Sequence, residues 1–217
     1  MMHACKRLTV FIVVALFSLA WVQAGAAETG TPGKSISSGS GLHKEFHKAR
    51  MSFLKKDFHH AASEIRSAAA FLEKEETRAT GESKRDLAES AQDLRTLAER
   101  VGKKTVKSES ELNESFARAE YALARQYHIE ASESWAKKET SKTGVRLKAA
   151  AGHLDNALVW AGGRIEEKSN KAIRDAKDVG EKMEKGVDVA ASDVDKALDA
   201  VKKEIDEGAR KIPLIRG

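Results

Sequence analysis

From Leu42 onward, apolar side chains recur at intervals of three and four. Leu42, Phe46, Ala49 and Phe53 fall at spacings of four, three and four, which places them on one face of a helix. Lys55-Lys56-Asp57 interrupts that stripe, and a second begins at Phe58 and continues through Ala61, Ala62, Ile65, Ala68, Ala69 and Leu72. So short a connection predicts two antiparallel neighbours, with Phe46, Phe53, Phe58, Ile65 and Leu72 in the shared seam. A third helix is predicted from Glu82 to Val101, with Leu87, Ala91, Leu94 and Ala98 on its apolar face and Gly102 as its C-terminal cap. Ser108 and Glu111 have the spacing of a capping box and start a fourth helix, which carries Leu112, Phe116, Ala119, Leu123, Tyr127, Ala131 and Trp135. A fifth, with Leu147, Ala150, Ala151, Leu154, Leu158 and Ala161, stops at Gly162-Gly163.

The pattern repeats. Residues 49–72 laid on residues 131–154 share seven identities: Ala49/Ala131, Ser52/Ser134, Lys55/Lys137, Lys56/Lys138, Ala68/Ala150, Ala69/Ala151 and Leu72/Leu154. These fall on the turn and the helix–helix seam, where two copies of one hairpin must agree. Two copies are fewer than the three or more a solenoid needs, so the hairpins are expected to pack with the third helix in one bundle.

Beyond Gly163 the stripe narrows to Ile173, Ala176, Met183, Val187, Ala190, Val194, Leu198, Val201, Ile205 and Ile212, while Arg164 to Lys211 holds 12 basic and 13 acidic residues. Such a seam predicts one long C-terminal amphipathic helix, roughly 66 Å from Glu166 to Ala209 at about 1.5 Å per residue. Gly180, Gly186 and Gly208 each weaken it by about 1 kcal/mol against alanine, so the helix needs a cover for its stripe. Val187, Val194 and Leu198 become candidate residues for self-association or a protein partner. A membrane-surface helix combines a cationic face with bulky apolar residues, so this mixed face ranks peripheral membrane contact lower.

The N-terminus follows a different rule. Lys6 and Arg7 precede a fifteen-residue run, Leu8 to Val22, and then small residues to Ala27. That is the layout of a secretory signal peptide, and the run is shorter than the about 20 residues of a spanning helix. The expected organisation is a signal peptide over 1–27, a flexible Gly/Ser linker over 28–41, a helical bundle over 42–163 and an extended C-terminal helix over 164–217. The expected location is periplasmic or secreted. Cys5 lies inside the leader, so the mature chain has no thiol and no disulfide or cysteine-ligated metal. Without Lys6 and Arg7 the balance is 36 basic to 33 acidic residues, interleaved, which gives no basic run for nucleic acid.

Candidate chemistry rests on the six histidines of the expected mature chain: His43, His47, His59, His60, His128 and His153. His43 and His47, four apart on the first helix, have the spacing that lets two imidazoles share zinc or another divalent metal. His128 and His153 are expected to face each other across the second hairpin. Histidine also gives a means of responding to pH. No Gly-rich phosphate loop, H-E-x-x-H or G-x-S-x-G motif is present, so a non-enzymatic chain with no cofactor is expected. Tyr127, Trp135 and Trp160 concentrate aromatic, polar-capable side chains on the fourth and fifth helices and are candidates for partner contact.

The run "FLKKDFHHAASEIRSAA" resembles a degenerate tetratricopeptide-type hairpin: Phe53 precedes the turn, Phe58 follows it, then Ala61, Ile65 and Ala68 come at spacings of three, four and three. That family's glycine and closing proline are absent, so the resemblance implies hairpin geometry rather than an array. With its export signal, polar tether, early hairpin "ARMSFLKKDFHHAASEIRSAAAFL" and late hairpin, the chain is similar in layout to YfdX-type periplasmic stress proteins. The resemblance implies an all-helical, non-enzymatic, envelope stress-related protein-interaction scaffold. Histidine-mediated divalent metal binding in the periplasm is the alternative.

Overall fold

The protein was described from a computed structural model, which defines residues 40–162 and 167–211. The expected signal peptide, most of the expected linker, Gly163 and Ile212 lie outside the described residues. Every described element is an α-helix: α1 (Ser40–Leu54), α2 (Phe58–Glu76), α3 (Gly81–Gly102), α4 (Glu109–Ala136), α5 (Thr140–Trp160), α6 (Glu167–Glu184) and α7 (Ala191–Lys211). The fold is all-α. α1 pairs with α2, α3 bridges α2 to α4, and α4 pairs with α5. The two hairpins also meet directly where α1 touches α4.

The repeat is visible in the backbone. In α1–α2, Lys56 N–H donates to the Phe53 carbonyl and Asp57 N–H to that of Ser52; in α4–α5, Lys138 donates to Trp135 and Glu139 to Ser134, all four bonds at 2.9 Å. These are the paired bonds of a Schellman turn, closed by a left-handed residue. That residue is Lys56 at φ 62° in the first hairpin and Lys138 at φ 60° in the second. The seam residues match too, with Ala49/Ala131, Ile65/Leu147, Ala68/Ala150 and Leu72/Leu154 all fully buried.

Two local expectations change. The third helix runs through Gly102, whose position Ala62 approaches, and the left-handed residue is Lys104 at φ 58°. At Ser108 the hydroxyl makes no cap bond, and the Glu111 carboxylate takes the Lys107 N–H at 3.0 Å.

The tail departs furthest from expectation. It is two helices, not one long rod, because Gly186 takes φ 72° and the Val187 N–H reverses onto the Lys182 carbonyl at 2.9 Å. The three-and-four spacing from Met183 through Val187 and Ala190 to Val194 crosses this turn, so the numerical stripe continues where the helix does not. α6 packs on α5, and α7 returns to pack on α6, α4 and α5.

Two of the three glycines expected to weaken the tail are its docking points. A Cβ on Gly144 of α5 would lie 2.5 Å from the Gly180 carbonyl oxygen and 2.7 Å from the Glu184 nitrogen, so α5 and α6 cross backbone to backbone. A Cβ on Gly208 would collide with the Tyr121 phenol. Ion pairs finish the attachment: Lys177 to Asp155 at 2.6 Å and Lys148 to Glu184 join α6 to α5, while Arg125 of α4 reaches Glu82 and Asp86 of α3 and Asp206 of α7 at 2.7, 3.4 and 3.6 Å.

Candidate functional site: a histidine and glutamate chain

The polar heart of the bundle lies where α1, α4 and α5 meet. Phe46 stacks on Phe116 with centroids 4.2 Å apart, and Trp160 closes edge-on against Phe116 at 5.3 Å, making an aromatic wall. Behind it, Glu120 and His153 are both fully buried, with His153 Nδ1 2.6 Å from Glu120 Oε2. Burying a carboxylate is costly unless it is paired, and the imidazole supplies the pair. Tyr127 lies flat on His153, with 5.3 Å between centroids and 3° between planes, and burial pushes its phenol up to about 12, which keeps it neutral.

The chain of contacts runs outward from that dyad. Glu120 Oε1 faces His43 Nδ1 at 3.8 Å, and His43 Nε2 lies 3.0 Å from His47 Nε2. His47 is exposed at the surface, against the Trp160 ring at 4.8 Å. Its pKa is held below the ordinary imidazole value by partial burial, then by His43 and Arg50. Four buried polar atoms of this cluster have no hydrogen-bond partner among the described residues: His43 Nδ1, Glu120 Oε1, His153 Nε2 and Trp160 Nε1. Unpaired buried polar atoms are rare in native cores and mark this as a place where packing alone does not explain the residues.

The repeat sharpens that statement. Carried across the offset that aligns the hairpins, His153 corresponds to Phe71 and His128 to Phe46. Phe71 and Phe46 are both buried, so the scaffold accepts an apolar ring at each position. The second hairpin has imidazole there instead.

His43 and His47 are brought together as their spacing implied. His128 and His153 do not face each other: His128 Nε2 donates to the Leu198 carbonyl of α7 at 3.1 Å, and its pKa is lowered mainly by burial, against an opposing effect of that carbonyl. His60 pairs with Asp57 at 2.7 Å, at the cap of α2. Tyr127 and Trp160 are buried in the cluster, and Trp135 donates from Nε1 to Asp195 Oδ1 at 2.8 Å, attaching α7 to α4. Val194 and Leu198 are buried under the tail's own docking, whereas Val187 in the turn is exposed. The stripe's cover is therefore the chain itself.

Glu120 is the residue sequence reasoning missed. The signal was a lone acid on a buried stripe, four after Phe116, three before Leu123 and seven before Tyr127. Among the described residues, no group of three or more His, Cys, Asp or Glu side chains converges to hold a metal ion, so the histidine pair offers two ligands. No protein-family model matches this chain, and neither a curated protein nor a solved structure does. The chain's own chemistry therefore carries the functional reading.

Proposed function

We propose that this is a non-enzymatic exported helical protein that captures a divalent transition-metal ion through His43 and His47. The observation that supports this most is the order of atoms: two Nε2 atoms 3.0 Å apart at the surface, with a buried carboxylate behind the Nδ1 of the inner ring. Two nitrogens bound to one tetrahedral zinc at about 2.0–2.1 Å are about 3.3 Å apart, so the pair needs only a small adjustment. Glu120 Oε1 is 3.8 Å from His43 Nδ1, beyond hydrogen-bond reach. A metal on Nε2 puts the ring proton on Nδ1, and a shift of about 1 Å would let that proton bond the carboxylate and strengthen the ligand. Imidazole suits Zn²⁺, Cu²⁺ and Ni²⁺, with Cu²⁺ the tightest, and water or an outside ligand fills the remaining positions. Association through the tail stripe, the other expectation, requires α6 and α7 to leave the bundle, since Val194 and Leu198 are already covered.

Calorimetric titration with Zn²⁺ and Cu²⁺ tests the reading. One ion per chain is expected, lost in His43→Ala or His47→Ala, unchanged in the double variant His59→Ala/His60→Ala, and weakened about 10- to 100-fold in Glu120→Gln. Binding that survives removal of both His43 and His47 would overturn it.

A further inference from the structure

The solvent face of α1 combines lysines that have no ion-pair partner among the described residues with two exposed apolar side chains. Lys44, Lys48, Met51 and Lys55 follow one another at spacings of four, three and four, Leu54 lies beside them, and Lys56 closes the turn. Met51 and Leu54 are 49% and 48% exposed. The one acid of α1, Glu45, pairs with Lys48 at 2.8 Å and lies toward Glu64 of α2. Lys44, Lys55 and Lys56 have no ion pair among the described residues. On α6 and α7, by contrast, several lysines are matched along the helix: Lys171–Asp175, Lys185–Glu181, Lys202–Asp206 and Lys203–Glu207.

The neighbouring turn extends the same face. Lys104 stands over the Phe58 ring at 5.8 Å, and a shallow cleft of about 330 Å³ beside it is lined by Lys56, His59, Arg66 and Lys104. Asp57 also lines the cleft but is turned to His60 at 2.7 Å. Cations that outnumber their carboxylates, with Glu45 and Asp57 already engaged by Lys48 and His60, attract an anionic surface. The exposed Met51 and Leu54 select among such surfaces, because a hydrated polyanion has nothing to bury them in, whereas the headgroup layer of a bilayer does.

We propose that the outer face of α1 and its turn form a docking surface for anionic phospholipid membranes, with Met51 and Leu54 entering the interface and Lys44, Lys55, Lys56 and Lys104 against the phosphates. Contact is peripheral, since no described helix is long and apolar enough to cross a membrane. This inference is independent of the metal reading.

Co-sedimentation with phosphatidylglycerol/phosphatidylethanolamine vesicles tests it, with phosphatidylcholine vesicles and heparin as comparators and chelator present throughout. Binding to the anionic vesicles alone is expected. Lys55→Ala/Lys56→Ala should weaken it roughly 30-fold, from about a fivefold effect per lysine at an anionic surface. Met51→Ser/Leu54→Ser should also weaken it with every charge retained, while Lys171→Ala/Lys185→Ala should leave it unchanged. Circular dichroism of these surface variants should match the unaltered protein. The proposal fails if the anionic vesicles do not bind, if Met51→Ser/Leu54→Ser binds as well as the unaltered protein, or if heparin binds with the same dependence on Lys55 and Lys56.

Discussion

Lys56, Lys104 and Lys138 hold φ angles of 62°, 58° and 60°, a region that costs an L-residue about 1–2 kcal/mol. Glycine removes that cost but loses more chain entropy on folding, about 0.4–1 kcal/mol. Replacing any one with glycine should therefore raise stability by about 0.5–1 kcal/mol, seen as a thermal midpoint higher by about 1–4 °C; a lowered midpoint would contradict the turn geometry. The Glu120–His153 pair predicts a different pattern. Glu120→Leu strands His153 in the core and should cost about 3–5 kcal/mol in denaturant unfolding, whereas adding His153→Phe should recover most of it. Phe71 at the matching position of the first hairpin is the reason. His43 and His47 were legible in the sequence because their relation is local, four residues on one helix. Glu120 was not, because its partner arrives from another helix, 33 residues on, and only packing brings the two together.

At the scale of elements, the three-and-four period located every helix of the two hairpins, since it reflects which face must leave water. It could not locate the break in the tail, because the turn at Gly186 preserves the spacing while reversing the chain. Nor could it assign the tail glycines, which cost stability in an isolated helix and permit contact in a packed one. Gly144→Ala and Gly180→Ala ordinarily favour a helix. Here each should destabilise, loosening α6 from α5, because the added Cβ meets backbone at 2.5 and 2.8 Å. Gly208→Ala should loosen α7 in the same way against Tyr121. Hydrogen exchange should show faster exchange in α6 and α7 with α2 and α3 unaffected; unchanged protection would mean that the helices do not cross at these residues.

At the scale of the whole molecule, the described helices belong to one compact unit in which the tail completes the bundle. Its pH dependence follows from His128 and His47, both with pKa values lowered on folding, chiefly by burial. The unfolded chain therefore binds protons more readily than the folded one as pH falls through the ordinary value of 6.5. The stability these groups contribute is present above that value and is lost as pH drops toward their lower folded values. Lys202, Asp206 and Asp199 surround His128, so α7 is where the loss should begin. Thermal unfolding at pH 7.5 and 5.5 should give a lower midpoint in acid, and hydrogen exchange should show α7 opening first.

The central claim, a metal held by His43 and His47, is tested most directly by fluorescence. Trp160 lies 4.8 Å from His47 and 5.6 Å from His43, centroid to centroid. In a Trp135→Phe protein lacking residues 1–27, Trp160 is the one remaining tryptophan. Cu²⁺ bound at the pair should quench its emission at one equivalent, and His43→Ala should abolish the quenching. Emission that does not change with Cu²⁺, or quenching that persists without His43, would contradict the account.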